Sequence, residues 1–306
     1  MSKETRRLGD YELHQAWEGF ASVRQISSGE IMHSRTSPIE EAQRLYVEQA
    51  HLAERLRAGE GAEPLVLWDV GLGAAANAMA AIKCYEDAAA AGPMRELRII
   101  SFENDLDSLR LAFDHPADFP YLRHEAPAAI LTNGHWKSRP SPGLSWVLVL
   151  GDFPGTIADA PFPPDVIFYD MFSTKTSTQL WSFRTFHSLF EACADRAAEL
   201  FTYTCSTANR AAMLAAGFHV ARGRNAGAKI ETTIALTAAA AHDSRRPARE
   251  ILSSDWLAKW SRSAAKFPAD IALSERPHFE ELIRDHEQFR KFAATERLPS
   301  TTQNSE

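Results

Sequence analysis

The stretch LVLWDVGLGAAANAMAAI, residues 65–82, decides the fold. It holds an apolar run, an acid at position 69, glycines at 71 and 73, and then an alanine-rich segment. That order reads as strand, tight turn and helix, with Gly71 and Gly73 permitting close approach of the backbone to a ligand. In open α/β sheets such a turn lies at the carboxyl end of the strand, where small molecules bind. Asp69 then selects the kind of ligand. Two residues before the first glycine, its charge opposes a pyrophosphate at the helix N-terminus and favours a cation. A dinucleotide fingerprint would also ask for glycine at position 76, where this chain has Ala76, and for an acid about twenty residues further on.

Outward from this stretch, short β-rich runs alternate with helical patterns. The runs are PLVLWDV, LRIISFE, SWVLVLGD, DVIFYDMF, ELFTYTC, FHVARG and IETTIALT, and the helical patterns cover 74–90, 105–113, 178–197 and 207–216. Alternation of this kind predicts an α/β, Rossmann-like, mostly parallel sheet of seven strands. The last two runs have no helix between them, so the sheet is expected to end in an antiparallel hairpin. Upstream, TSPIEEAQRLYVEQAHLAERLRAG predicts one helix with a capping box (Ser37 with Glu40), Pro38 at its first position and Gly59 as its stop. Downstream of a polar linker, two amphipathic helices are expected, with Trp256 and Trp260 one turn apart on a face for a partner or for the sheet domain. The tail PSTTQNSE reads as disordered. The expected organisation is a helical N-terminal extension (1–61), a ligand-binding α/β domain (62–241) and a helical C-terminal extension with its tail (242–306).

The chain has 306 residues, 45% of them hydrophobic and 24% charged, with a formal net charge of −7. This is the composition of a soluble globular protein, no apolar run approaches membrane-spanning length, and the polar N-terminus lacks a secretory core, so a cytoplasmic location is expected. The negative charge gives no general attraction for nucleic acid, and an RNA partner would need a local basic patch. Arg222, Arg224 and Lys229, and then Arg245, Arg246 and Arg249, are the candidate groupings; solvated surface is the plainer reading. Cys84, Cys193 and Cys205 are odd in number and lack metal-ligand spacing, which points to buried reduced thiols. No metal constellation emerges.

S-adenosylmethionine (SAM) answers the requirement set by Asp69, since it carries a sulfonium and an ammonium and no phosphate. Glu103, closing the second strand, offers two acceptor oxygens for a ribose diol, and Gly151 with Asp152 closes the third strand at the adenine edge. Asn77 joins these as a cofactor contact on the helix that follows the turn. Separately, Asp69 reads as a helix cap, Glu103 as a solvated strand end and Asp152 as a turn residue; as an ordered triplet they match a class I methyltransferase.

The fourth run adds DVIFYDMFSTKTSTQLW, with Asp165, Asp170, Phe172, Ser173 and Trp181, and further on lie YTCSTANRAAMLAAGFHV and NAGAKIET. In these segments and in SPIEEAQRLYVEQAHLAERL the chain resembles the methyltransferase domain of the tRNA 5-methylaminomethyl-2-thiouridine biosynthesis (MnmC-like) family, over about residues 25–237. The family's Asp-Gly-Phe-(Ala/Ser)-Pro loop is matched at Asp170, Phe172 and Ser173, while Met171 replaces its glycine and Thr174 its proline. Ala75 stands at the third glycine of the cofactor turn, where a right-handed helical start is expected. The resemblance implies SAM-dependent N-methylation of an aminomethyl-type wobble uridine of tRNA. It also implies that Asp170 orients the acceptor amine or takes its proton, with Phe172, Ser173 and Lys229 on the substrate side. Two other readings stand beside it: a small-molecule amine as acceptor, and a non-catalytic binding protein with a methyltransferase fold. Asp170 reads equally well as a loop cap, Phe172, Trp181, Phe186 and Leu189 as core, and His33 as a structural histidine near the site.

Overall fold

The computed structural model describes residues 6–57, 63–224 and 231–290. Gly59, Gly227, Lys229 and the tail PSTTQNSE lie outside the described residues.

The chain opens with strands β1 (Arg7–Leu8), β2 (Tyr11–Gln15) and β3 (Ala21–Gln25), which form an antiparallel sheet of their own. The N-terminal extension is therefore not simply helical: alternation in YELHQ and ASVRQ is too short to register beside the longer runs that follow. Nor is residue span 38–56 one helix. It consists of α1 (Pro38–Ala42), a π-helical turn at Gln43–Val47 and α2 (Leu52–Leu56), broken by His51 in the left-handed region at φ 51°. Ser37 occupies the N-cap position, with Pro38 next, but its side chain makes no capping hydrogen bond, so the capping box is not formed.

The large sheet is built from β4 (Leu65–Val70), β5 (Leu97–Glu103), β6 (His135–Lys137), β7 (Leu144–Leu150), β8 (Val166–Tyr169), β9 (Glu199–Thr202), β10 (His219–Gly223), β11 (Thr232–Leu236) and β12 (Glu250–Ile251). Its order is β12-β10-β11-β9-β8-β4-β5-β7-β6. The seven expected strands are its core, β4, β5, β7, β8 and β9 run parallel, and β10–β11 is the expected hairpin. The sheet has nine strands because β6 and β12 add short antiparallel edges. Each is only two or three residues long, below what a periodic pattern can reveal. β4 is buried along its whole length, as a parallel strand covered on both faces must be, which explains its near-continuous apolar run.

Helices α3 (Ala76–Ala89), α4 (Asp107–Phe113), α5 (Glu125–Asn133), α6 (Phe153–Thr156), α7 (Phe183–Ala192), α8 (Thr207–Ala215) and α9 (Ala238–Ala241) connect the strands. α7 is shorter than the 178–197 pattern because Ser182 resets the chain, its hydroxyl accepting from the Thr185 amide as an N-cap after a 3₁₀ turn at Thr178–Trp181. Trp181, Phe186 and Leu189 are buried core residues. α10 (Ser254–Arg262) and α11 (Arg276–Arg284) dock on the sheet domain through Trp256, Trp260, Phe279 and Ile283, all buried in the same cluster as Phe186 and Leu214.

At the amino ends of β8 and β9 an ionic network ties the additions to the sheet. Buried Glu199 accepts from Arg55 (2.9 Å), Arg246 (2.9 Å) and Arg249 (3.1 Å), and Asp165 receives Arg196 and the Val66 amide. Arg245 pairs with Asp243, Arg222 with Glu231 and Glu250, and Arg224 with Glu48. The two arginine groupings that sequence offers as an RNA patch are thus engaged by acids, because the fold uses their charge to lock elements together. Among the cysteines Cys193 is buried, Cys84 partly so and Cys205 exposed, so burial of all three thiols does not hold.

Candidate functional site

The strand order reverses at β4, which pairs with β5 on one side and β8 on the other, and the crevice at that switch point is where open α/β sheets hold ligands. A cavity of about 540 Å³ opens there. Gly71, Gly73, Asn77, Glu103, Asp170, Phe172 and Ser173 all line it.

The turn after β4 is fastened to the end of β5. The Gly71 amide donates to the Phe102 carbonyl (3.1 Å), the Gly73 amide to Glu103 Oε2 (3.0 Å), and Ser108 Oγ to the Gly73 carbonyl (3.0 Å). Gly71 has φ +92°, and a Cβ there would stand 2.6 Å from the Asp170 carbonyl oxygen and 2.7 Å from the Met171 sulfur. Only glycine fits this approach. Ala75 departs from the expected right-handed start: it sits at φ +61°, the left-handed conformation for which a third glycine would be the natural choice. The turn keeps its shape despite the methyl group.

Asp69 is fully buried and does not line the cavity. Its Oδ2 accepts from Ser101 Oγ (2.7 Å), which also receives Trp146 Nε1 (2.8 Å), while its Oδ1 has no hydrogen-bond partner. Burial raises its pKa to about 8, against the opposing hydrogen bond from Ser101. The carboxyl is turned to Ser101, its register partner on β5. Gly151 and Asp152 are also absent from the wall. Gly151 donates to the Glu103 carbonyl (2.8 Å), and the exposed Asp152 starts α6 without a side-chain cap. They stand at the end of β7, beside the end of β5 that carries Glu103.

Glu103 does reach the cavity. Its Oε1 receives the Asn104 (2.8 Å) and Asp105 (3.2 Å) amides, yet burial still lifts its pKa above the ordinary carboxylate value. Asp170, after β8, donates its amide to the Val70 carbonyl and accepts Asn77 Nδ2 on Oδ2 (2.9 Å). Burial raises the pKa of Asp170, opposed by nearby His33 and by the hydrogen bond from Asn77. His33 lines the cavity with Nδ1 3.6 Å from Glu41 Oε2. Burial draws the imidazole pKa down, but Glu41 and Asp170 outweigh it and hold it above its ordinary value. Tyr46, pushed far up by burial, stays a neutral phenol beside Asp170.

Glu30, Glu41 and Tyr203, which sequence reasoning did not assign to the site, line the wall, and further side chains brace it from behind. Glu30 accepts the Ser173 amide (2.8 Å), Ser173 Oγ (2.9 Å) and Thr176 Oγ1, fixing the loop after β8. Tyr203 donates to the Met171 carbonyl (2.9 Å) and Trp181 Nε1 to the Phe172 carbonyl (2.7 Å). Glu41 and Tyr46 come from α1 and the π-helical turn, an irregularity that often marks functional sites. None of these carries a motif; a helix with an inserted residue over a sheet crevice would have been the only sign. Exposed Arg35 and Arg44 stand on the cavity rim.

Comparison with known proteins agrees with this geometry. A family model described as S-adenosyl-L-methionine-dependent methyltransferase matches residues 131–238. The tRNA 5-methylaminomethyl-2-thiouridine biosynthesis bifunctional protein MnmC of Hahella chejuensis is 25% identical over 229 residues, covering 72% of this chain; the chain spans 36% of the length of that relative. The crystal structure of MnmC2 from Aquifex aeolicus superposes with a TM-score of 0.65 at 21% identity, over 92% of this chain and 82% of that one, and shares its fold. The class is therefore defined: the chain is a SAM-dependent methyltransferase with a Rossmann-like class I fold. Its methyltransferase domain is similar to that of MnmC. Among the described residues no helix is long and apolar enough to cross a membrane.

The residues present fit the cofactor. Glu103 presents a carboxylate to the crevice, and the glycine turn leaves no side chain between the backbone and a bound nucleoside.

Proposed function

We propose that the protein N-methylates an aminomethyl-type modified uridine at the wobble position of tRNA, with residues 62–241 as the catalytic domain and the N-terminal residues as a wall of the acceptor pocket. The observation that carries this reading is the Asp170 carboxylate, held by Asn77 on the cavity wall among His33, Glu41 and Tyr46. Bound SAM supplies a methyl carbon on a sulfonium sulfur. Glu103 receives the ribose hydroxyls, and Gly71, Gly73 and Asn77 line the rest of the cofactor seat. Asp69 acts from below by fixing the end of β4.

An amine attacks only as its neutral form, because an ammonium has no lone pair. A carboxylate whose pKa is raised by burial is a better proton acceptor than one in water, and Asp170 is placed to take that proton while Asn77 keeps its orientation. The new C–N bond forms as the S–CH₃ bond breaks, with the electron pair returning to sulfur. Holding the amine in line at near-attack distance is the larger share of the work. Phe172 and Ser173 shape the acceptor side, and exposed Arg35 and Arg44 beside the cavity are the cations offered to a nucleic-acid backbone.

A small-molecule amine remains the second reading, favoured by the pairing of Arg222, Arg224, Arg245 and Arg246 with acids, which leaves less basic surface for RNA. Transfer of labelled methyl from SAM to tRNA bearing unmethylated 5-aminomethyl-type uridine tests the first. We expect incorporation that falls by about 10²-fold or more in Asp170→Asn, with the SAM dissociation constant changed by less than about threefold. No incorporation by protein that binds SAM would transfer the assignment to small amines. Equal turnover in the variant would remove Asp170 from proton transfer.

A further inference from the structure

Outside the crevice, the fold brings together three side chains from distant parts of the chain. His219 opens β10, His242 follows α9, and Glu287 follows α11; one ligand-capable atom from each lies within 4.8 Å of the other two. None of the three lines the SAM cavity. We propose that His219, His242 and Glu287 form a binding site for one divalent transition-metal ion, zinc by its donor set, which clamps the C-terminal extension to the catalytic sheet.

Two imidazoles and one carboxylate suit zinc and its first-row neighbours, whereas magnesium and calcium prefer oxygen donors throughout. Buried His219 is the fixed member, on the strand that carries the sheet edge. His242 and Glu287 are about half exposed, with Nε2 and Oε1 3.8 Å apart. A metal with bonds of about 2.0–2.2 Å needs its ligands somewhat closer, and exposed side chains can turn to meet it. The backbone beside Glu287 is already in place. Gln288 Oε1 accepts the Val220 amide (2.7 Å), and its side-chain amide donates to the Val220 (3.1 Å) and Leu252 (2.8 Å) carbonyls. His286 packs its ring 5.1 Å from that of His219 and accepts the Gln288 amide on Nδ1, so it walls the site rather than competing for the ion. A fourth position is left for water.

The test uses the full chain, free of any purification tag and stripped with a chelator, titrated calorimetrically with zinc chloride and separately with magnesium chloride. One equivalent of zinc is expected to bind at micromolar Kd or tighter, with magnesium silent. His242→Ala and Glu287→Ala, both at exposed positions, should each weaken zinc at least about tenfold while leaving the metal-free Tm at the parental value. At about a hundredfold excess over Kd, zinc should raise the Tm by about 5 °C in the parent and by less in the variants. Absence of binding at about 100 µM zinc would overturn the proposal. So would unchanged stoichiometry and affinity in the double variant, which would place the metal elsewhere, for instance on exposed Cys205.

Discussion

Asp69→Asn should make the protein more stable, and increasingly so as the pH rises from 5 to 8. In the folded chain the Asp69 carboxyl has its pKa lifted to about 8 by complete burial. Unfolded, the same group titrates near 3.9, so between these values the folded state holds a proton that the unfolded state has lost. The contribution of Asp69 to stability is therefore whole below about pH 4, declines by about 1.4 kcal/mol per pH unit, and levels off above about pH 8. Asparagine does not ionise, and its stability carries no such slope. Both forms leave one buried atom at the Oδ1 position without a partner, so the penalty of roughly 1–3 kcal/mol for that atom is common to them and largely cancels. The gap between variant and parent should consequently widen by about 4 kcal/mol from pH 5 to pH 8. Urea unfolding at each pH unit, without SAM, measures it, and differences against the parent remove the titration of Glu103 and His33 to first order. A gap that stays flat across this range would refute the reasoning and mean that Asp69 is charged in the fold.

Three further changes test the rest of the site and the frame around it. Gly71→Ala places a methyl 2.6 Å from the Asp170 carbonyl oxygen in a left-handed backbone, so the turn must shift; SAM affinity by calorimetry should fall at least about tenfold, and an unchanged value would remove the turn from the cofactor seat. Glu30→Ala deprives Ser173 and Thr176 of their common acceptor, which should raise the KM for the methyl acceptor about tenfold while SAM binding holds; an unaltered KM would show that the loop is fixed by other contacts. Glu199→Ala leaves Arg55, Arg246 and Arg249 facing one another without their acid, and a loss of about 3–5 kcal/mol in urea unfolding is expected, against under 1 kcal/mol if the network were only surface pairing.

Strand-turn-helix at residues 65–89 was legible because burial on both faces of a parallel strand and a glycine turn leave local marks, and so was the succession of the remaining core strands along the chain, while their order across the sheet leaves no local mark. The cavity residues supplied by those same turns, Gly71, Gly73, Asn77 and Glu103, were legible for the same reason. The surroundings of Asp69 were not legible, because its hydrogen bond to Ser101 depends on the pairing of β4 with β5, and cross-strand register is a tertiary fact. Glu30, Glu41 and Tyr46 were illegible because they belong to a strand hairpin and an irregular helix that reach the site only after the chain has folded.

The loop after β8 shows how such distant residues can replace a local device. Proline fixes a single φ angle, and glycine allows one unusual conformation; Thr174 and Met171 provide neither. Here the constraint comes from Glu30, 143 positions away from Ser173, whose carboxylate gathers one amide and two hydroxyls, and from Tyr203 and Trp181 holding the Met171 and Phe172 carbonyls. Three separate elements thus determine a loop that a proline could stiffen only at one bond. The carboxylate accepting three donors makes the loop's shape depend on how the segment after β3 is seated, and since β1 and β2 pack on α4, whose Ser108 holds the Gly73 carbonyl, changes that loosen the N-terminal sheet should be felt on both sides of the pocket.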